Sequence, residues 1–153
     1  MNILFICLGN ICRSVTAEEI FRTFVKKQGL QDAYHIDSAG LIDYHAGKLA
    51  DSRMRQHAAK HGYRLTHRSR PITSEDFNTF DLIITMDEKN VKTLTQLAPQ
   101  QHIHKIVRMA DYLQEHRATY IPDPYYGTSE DFELVIELLE DACFHLLESL
   151  KDE

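Results

Sequence analysis

Two cysteines, an arginine and a serine lie close together in "CLGNICRS", residues 7–14. Five residues lie between Cys7 and Arg13, and a strand-to-helix turn of this length can curl around a tetrahedral anion with its N–H groups pointing inward. Gly9 and Asn10 tolerate the positive φ that a tight turn needs, and the Arg13 guanidinium can bind two phosphate oxygens. The predicted anion-binding residues are Leu8, Gly9, Asn10, Ile11, Cys12, Arg13 and Ser14.

Cys7 would lie at the base of this loop, where the N–H groups, the following helix N-terminus and Arg13 stabilise a thiolate. A thiolate below a bound phosphate is positioned to attack phosphorus and to form a phosphocysteine that water later hydrolyses. This chemistry requires no metal or other cofactor. The alternative is a small core cysteine beside a surface arginine. The Gly-Asn turn and the helix that follows favour the nucleophile.

A candidate proton donor lies in "IPDPYYG", more than a hundred residues later. Pro122 and Pro124 stiffen the backbone on both sides of Asp123. Tyr125 and Tyr126 follow directly, so one rigid turn holds an acid and two aromatic rings. Asp123 could protonate the leaving group and later deprotonate water. An ordinary Asp-Pro turn is the alternative.

Alternating strands and helices are predicted around these segments. The strands are predicted at Asn2–Ile6, 33–37, 81–85 and 104–107, and the helices at about Ser14–Gln28, 51–62, Asp87–Ala98 and Ser129–Leu150. Thr16 and Glu19 have the spacing of a capping box. This alternation indicates a parallel sheet covered on both faces, in which ligands bind at the carboxyl ends of strands near a topological switch point. The loop that begins at Cys7 follows the first strand.

Composition restricts the location and the partners. The 153 residues suit one domain, and the net charge of -6 disfavours nucleic acid and anionic membranes as partners. The apolar run "ILFICL" is too short for a signal peptide or a membrane span. Three cysteines, Cys7, Cys12 and Cys143, argue against a disulfide framework. A cytoplasmic protein is expected.

These segments together resemble the low-molecular-weight protein tyrosine phosphatases. "CLGNICRS" is similar to the phosphate loop of that family at every position, and "DPYY" is similar to its general-acid loop. Between them, "DSAG", "DYHAGKLAD", "HGYRLTHRSR" and "FDLIITMDEKN" resemble family segments in the same order. The resemblance implies a flavodoxin-like, doubly wound α/β fold: a single domain over residues 1–153, with a four-stranded parallel sheet and helices on both faces.

The resemblance also implies roles for individual residues. Cys7 would be the nucleophile, Arg13 the phosphate ligand and Asp123 the general acid and base. Cys12 would be a redox partner that bridges to an oxidised nucleophile. The positions that would support the loop by hydrogen bonds are Asn10, Ser14, Ser38 and His67.

The sequence departs from the family pattern at two places. Val15 stands where the family usually has proline, which pre-organises a helix start. Many members carry tryptophan near the position of Tyr44, whereas this chain has no tryptophan. The predicted substrate wall consists of Ile11, Tyr44, His45, Tyr125 and Tyr126.

An arginine phosphatase, an arsenate reductase and a phospho-ligand binding module are the three alternatives to a tyrosine phosphatase. Related arginine phosphatases tend to carry threonine where this chain has Ile11, and an apolar side chain suits an aromatic ring better. An arsenate reductase needs resolving cysteines, but Cys143 is predicted to lie in the core. A phospho-ligand binding module would not need Cys7, Arg13 and Asp123 together.

Nine histidines raise the question of a metal site. His57 and His61 are spaced i, i+4, and His102 and His104 flank a strand start, but no glutamate follows His57 as in metalloproteases. These four are predicted to be solvated, and no metal is expected. The expected partners are phosphotyrosine proteins, with a cognate tyrosine kinase as a further candidate, and the chain is expected to be a monomer or to self-associate weakly.

Overall fold

In the computed structural model, which describes residues 1–151, four strands form one parallel sheet in the order β2-β1-β3-β4. The strands are β1 Asn2–Cys7, β2 His35–Gly40, β3 Leu82–Thr85 and β4 Ile106–Arg108, and the helices are α1 Arg13–Lys27, α2 Ser52–Lys60, α3 Ser74–Thr79, α4 Glu88–Leu97 and α5 Ser129–Lys151. The predicted doubly wound parallel sheet is confirmed. Because β2 and β3 flank β1 on opposite sides, the switch point lies at the carboxyl end of β1. Residues 152 and 153, which the predicted domain also includes, lie outside the described residues.

The side chains of β1 alternate between two apolar layers. Ile3 and Phe5 belong to the larger core, which contains residues of α1 and α5, whereas Leu4 and Ile6 belong to the core that contains residues of α3 and α4. All four side chains are fully buried, and each buried side chain of this size contributes about 1.5–3 kcal/mol. The loop that follows β1 therefore starts from a strand held on both faces.

Several predicted boundaries differ from the structure for local reasons. Strand β2 begins at His35 rather than at residue 33, because Gln31–Ala33 form a 3-10 turn. Strand β4 begins at Ile106 because Gln100–Lys105 form another 3-10 segment. Short 3-10 turns leave little periodic signal in a sequence. Helix α3 was not predicted.

The predicted capping box at Thr16 and Glu19 is wrong. Helix α1 begins at Arg13, so Thr16 lies inside the helix, and its hydroxyl donates a hydrogen bond to the Cys12 carbonyl at 2.6 Å. A capping box does occur at the start of α3, between Thr73 and Asp76. Within residues 1–151, no helix is both long enough and apolar enough to cross a membrane.

Asp141 of α5 anchors the segment that leads toward the candidate acid loop. Its carboxylate accepts hydrogen bonds from the backbone N–H groups of residues 114, 115 and 116 at 3.1, 3.0 and 2.9 Å. It also accepts hydrogen bonds from Nδ1 of His116 and Nδ1 of His145, each at 2.9 Å. Burial alone would raise the pKa of Asp141, but the hydrogen bonds from His116 and from the backbone lower it below its usual value. The ionised carboxylate is therefore the form that the fold stabilises.

We expect Asp141→Asn to lower the free energy of unfolding at neutral pH by about 2–3 kcal/mol, because hydrogen bonds to a buried charge are lost. Since the folded-state pKa is lowered, the stabilisation is complete above the unfolded-state pKa of about 3.9 and is lost as the pH falls toward the folded-state pKa. Urea denaturation between pH 7 and pH 3 measures this. Asp32→Asn, at an exposed position, is the matched control. A difference between wild type and Asp141→Asn that widens in acid would contradict the assignment.

Candidate active site

The backbone of the loop after β1 is arranged to receive an anion. Its carbonyl groups face neighbouring segments: Leu8 O accepts from Leu41 N at 2.9 Å, Gly9 O from Ser69 Oγ at 2.9 Å, and Ile11 O from Asp51 N at 3.0 Å. The backbone N–H groups of residues 8–12, in contrast, donate to no acceptor within residues 1–151. Residues 10–12 are buried, and buried N–H groups are almost always paired, so this row of donors matches an anionic ligand.

Two residues give the loop its tight shape. Asn10 has a φ of 58°, which is the left-handed region that asparagine tolerates better than most residues. Gly40 lies against the outside of the loop, where an added Cβ would be 3.0 Å from the Leu8 carbonyl oxygen and 3.1 Å from the Gly9 carbonyl carbon. A larger residue at position 40 would therefore push the loop inward.

A chain of hydrogen bonds ends at the Cys7 sulfur. The Asn10 side-chain amide donates to the Ser14 hydroxyl at 2.8 Å and to the Ser38 hydroxyl at 3.0 Å. Since the Ser14 oxygen receives this hydrogen bond, its own hydrogen is available to the Cys7 sulfur, 3.1 Å away. Cys7 is 3% exposed. A negative charge on this sulfur would thus be stabilised by a fixed donor.

His67 supports Asn10 from behind the loop. The Asn10 amide oxygen accepts the backbone N–H of Arg70 at 3.1 Å, which fixes the orientation of the amide, and the same oxygen lies 3.0 Å from His67 Nε2. Nε2 must therefore carry a hydrogen. On the other side of the ring, Nδ1 faces carboxylate oxygens of Glu18 at 3.3 Å and Asp37 at 3.4 Å. The ring of His67 therefore links the Asn10 amide to two carboxylates behind the loop.

Glu18, Asp37 and His67 are the one group of three His, Cys, Asp or Glu side chains among the described residues whose possible ligand atoms lie close enough together to hold a metal ion. Their hydrogen bonds argue against that use. The Glu18 carboxylate accepts the Ser38 hydroxyl at 2.6 Å and an N–H of Arg22 at 2.7 Å, and the Asp37 carboxylate accepts an N–H of Arg70 at 3.0 Å. The cluster is accounted for as a hydrogen-bonded support for the loop.

Arg13 is held in a fixed orientation at the side of the loop. Its Nη1 donates to the Asp87 carboxylate at 2.7 Å and to the Ile121 carbonyl at 3.0 Å, while Nη2 lies 3.7 Å from the Asp123 carboxylate. No residue within 1–151 accepts a hydrogen bond from Nε. Burial alone would lower the pKa of Arg13, but Cys7, Asp87 and Asp123 raise it above its usual value. The buried guanidinium therefore stays charged.

Asp87 is a functional residue that the sequence analysis missed. It caps α4 by accepting the N–H of Asn90 at 2.8 Å and holds Arg13 with its other oxygen. The signal that could have identified it is its position two residues after the end of β3, the strand beside β1. Side chains at the carboxyl ends of adjacent parallel strands meet at one edge of the sheet.

Asp123 lies at the mouth of the same site. Its carboxylate accepts the backbone N–H of Tyr125 at 3.1 Å and faces Arg13, and its side chain is exposed. The acid loop is tied to α2, because the Arg53 guanidinium donates to the Tyr125 carbonyl at 2.8 Å and lies 5.5 Å from the Tyr125 ring. The structure thus brings the two segments singled out in the sequence into one cleft.

Aromatic side chains form the walls of this cleft, which has a volume of about 320 Å³. The rings of Tyr44 and His45 are 4.8 Å apart, and His45 is 6.3 Å from the Tyr125 ring. His45 is therefore a neighbour of both tyrosines. Tyr126 packs edge-on against Tyr125 at 4.9 Å and is 96% exposed. The lining residues are Cys7, Leu8, Gly9, Ile11, Cys12, Arg13, Ile42, Tyr44, His45, Asp123, Tyr125 and Tyr126.

The other two cysteines are poor candidates for a thiolate. Burial, followed by the proximity of Cys7, raises the pKa of the Cys12 thiol, and burial also raises the pKa of the Cys143 thiol. Cys143 is completely buried on α5. Cys7, whose sulfur faces the Ser14 hydroxyl, remains the candidate nucleophile.

The prediction that His57 is solvated is wrong. His57 is 8% exposed, its ring stacks on Phe132 at 5.6 Å, and its Nε2 lies 3.2 Å from the Ser129 hydroxyl. The helical spacing could not show that α5 packs on this face of α2. His61 and His104 are exposed as predicted, and His102 is half-buried.

Known proteins match this chain in sequence and in structure over nearly its whole length. A family model described as low molecular weight phosphotyrosine protein phosphatase matches residues 2–153. The low molecular weight phosphotyrosine protein phosphatase of Sus scrofa is 37% identical, and the match covers 98% of this chain and 96% of that protein. The crystal structure of a protein tyrosine phosphatase from Entamoeba histolytica is similar with a TM-score of 0.97 at 43% identity, covering 99% of this chain and 97% of that one. DARP, a Drosophila arginine phosphatase, is similar with a TM-score of 0.92 at 32% identity, covering 99% and 98%.

Proposed function

This chain belongs to the low molecular weight phosphotyrosine protein phosphatase family and is a protein tyrosine phosphatase, and from that premise we propose how its own residues carry out the reaction. The observation that carries the proposal is the row of unpaired N–H groups at residues 8–12 around the buried Cys7 sulfur. These donors and Arg13 bind the phosphate of a phosphotyrosine side chain. The ring lies between the walls formed by Tyr44, His45 and Tyr125.

The reaction proceeds in two displacements at phosphorus. The Cys7 thiolate attacks and forms the S–P bond as the bond from phosphorus to the tyrosyl oxygen breaks, and Asp123 gives its proton to that oxygen. Water then attacks the phosphocysteine, Asp123 takes a proton from the water, and the S–P bond breaks to release inorganic phosphate. Through both steps, Arg13 and the loop N–H groups stabilise the equatorial oxygens.

Ile11 favours phosphotyrosine over phosphoarginine as the substrate. Its side chain lines the cleft and is 8% exposed. An apolar side chain packs against an aromatic ring and offers no hydroxyl to a guanidinium-linked phosphate. This supports an aryl phosphate as substrate, although the structural relatives include an arginine phosphatase.

We expect Asp123→Ala to lower kcat for phenyl phosphate and phosphotyrosine about 10²–10³-fold, which is typical for loss of a general acid. The loss should be much smaller for p-nitrophenyl phosphate, because its leaving group needs little protonation. Steady-state kinetics on these substrates, with a phosphoarginine peptide alongside, measure the effect.

Asp43→Ala is the matched control, since Asp43 is an exposed carboxylate next to Tyr44 of the cleft wall and its side chain has no partner among the described residues. Equal losses on good and poor leaving groups would contradict the role of Asp123. Faster turnover of phosphoarginine than of phosphotyrosine would contradict the substrate assignment.

We further propose a reducing, cytoplasmic location, because a thiolate nucleophile must remain unpaired and the three cysteines are free and buried. Cys12 lies in the same loop as Cys7 and is the proposed partner for it after oxidation: a Cys7 sulfenic acid and the Cys12 thiol would condense to a disulfide and water. Phosphotyrosine proteins and a cognate tyrosine kinase are the proposed partners, and the chain is proposed to act as a monomer or a weakly self-associating species.

A further inference from the structure

The arginines of this protein divide into two groups by their partners. Five of the nine pair with carboxylates, namely Arg13, Arg22, Arg53, Arg70 and Arg108. The other four have no carboxylate partner within residues 1–151, although the chain has an excess of acidic residues. Three of these four, Arg55, Arg64 and Arg68, line a single groove of about 330 Å³. We call it the arginine groove.

Within the described residues, no carboxylate neutralises the three guanidinium groups of the arginine groove, and backbone carbonyl groups orient two of them. Arg55 Nε donates to the Ala50 carbonyl at 3.0 Å, and Arg68 Nη1 donates to the Gly47 carbonyl at 3.0 Å. The side chain of Arg64 has no hydrogen bond or ion pair within the described part of the chain. All three residues are exposed, so their positive charge is available to an external anion. Arginine binds carboxylate and phosphate groups with two parallel hydrogen bonds.

The arginine groove is continuous with a wall of the active site. Gly47 N donates to the Ser69 carbonyl at 2.8 Å, Ser69 N donates to the Lys48 carbonyl at 2.8 Å, and the Ser69 hydroxyl donates to Gly9 of the phosphate loop at 2.9 Å. The Lys48 ammonium lies 5.9 Å from the Tyr44 ring centroid, at the cleft. The loop that carries Tyr44 thus forms a wall of the cleft, and its Gly47 carbonyl binds Arg68 of the arginine groove.

We propose that the arginine groove binds an acidic stretch of the substrate polypeptide, so that the enzyme selects phosphotyrosines with carboxylate or further phosphate groups nearby in the sequence. This inference rests on the proposed function. The overall charge of -6 repels an acidic peptide, but charges are screened beyond about 8 Å at physiological ionic strength. The charges close to a bound segment therefore decide whether it is attracted, and in the arginine groove these include three guanidinium groups.

The test compares one phosphotyrosine peptide in four forms: neutral flanks, glutamates on the N-terminal side, glutamates on the C-terminal side, and a phosphoserine in place of the glutamates. We expect wild-type kcat/KM to be about tenfold higher for at least one acidic form than for the neutral form, through KM, as expected for several solvent-exposed charge pairs. The preference should shrink as NaCl is raised. The phosphoserine form distinguishes phosphate from carboxylate as the preferred anion.

The variant Arg55→Gln/Arg64→Gln/Arg68→Gln should lose this preference and keep the wild-type rate on p-nitrophenyl phosphate. Arg64→Gln alone, which has no contact to lose, should lose part of it and guards against misfolding of the triple variant. Arg117→Gln is the matched control, because Arg117 is also unpaired but lines a different groove. Equal turnover of all four peptides, or a preference that survives in the triple variant, would overturn the inference. Failure to hydrolyse even the neutral peptide would count against the proposed function instead.

Discussion

Cys7→Ser should hydrolyse p-nitrophenyl phosphate at least about 10⁴-fold more slowly than the wild type, as removal of a covalent nucleophile typically does. The serine hydroxyl would occupy the position of the sulfur beside Ser14, 3.1 Å away in the wild type, but it would not be ionised there. No phosphocysteine could form. The unpaired N–H groups and Arg13 would remain, so binding of inorganic phosphate or vanadate should persist, and isothermal titration measures it.

Cys12→Ser and Cys143→Ser are the controls for this variant. Because burial raises the pKa of both thiols, neither can replace Cys7, and each single variant should retain kcat within about fivefold of the wild type. A Cys7→Ser protein that turns over at the wild-type rate would eliminate covalent catalysis. One that loses both turnover and phosphate binding would show a collapsed loop rather than a missing nucleophile.

The part of the site that could be predicted from the sequence is the part that is contiguous in the chain. Strand β1, the loop after it and α1 follow one another within residues 2–27, and the same short pattern specifies the turn, the donors and the thiol. Asp123 could be named because proline and tyrosine surround it locally. The approach of Asp123 to Arg13 depends on the fold, although the resemblance to a family implied it.

Contacts made by tertiary packing could not be predicted in this way. Asp87 is 74 residues from Arg13 in sequence, and the two meet because β3 pairs with β1. His57 is buried because α5 covers one face of α2, whereas the spacing of His57 and His61 looks the same on a solvated helix. The 3-10 segments that precede β2 and β4, and that make these strands begin later than predicted, are also too short to leave a periodic signal.

Arg13→Lys should lower kcat/KM for aryl phosphates about 10²–10³-fold although the charge is kept, similar to the loss of one oxyanion donor. In the wild type, Nη1 is committed to Asp87 and to the Ile121 carbonyl, which leaves the other guanidinium N–H groups for the phosphate. A lysine has a single nitrogen for both tasks. If it keeps the contacts with Asp87 and Ile121, it can give only one hydrogen bond to the phosphate, and the two-oxygen contact is lost.

Two comparisons separate this geometric effect from charge and from folding. Arg108→Lys, in an exposed pair with Glu88, should leave the kinetics unchanged. Asp87→Asn keeps the shape of the side chain that orients Arg13 but weakens the ion pair. It should therefore lower kcat/KM about tenfold, which is less than the loss expected for Arg13→Lys. Because the proposed role of Arg13 includes binding phosphate in the ground state, inhibition by inorganic phosphate should weaken together with kcat/KM in the lysine variant. An Arg13→Lys enzyme that keeps the wild-type rate would contradict the assignment, since a single positive charge would then suffice without the guanidinium held by Asp87 and Ile121.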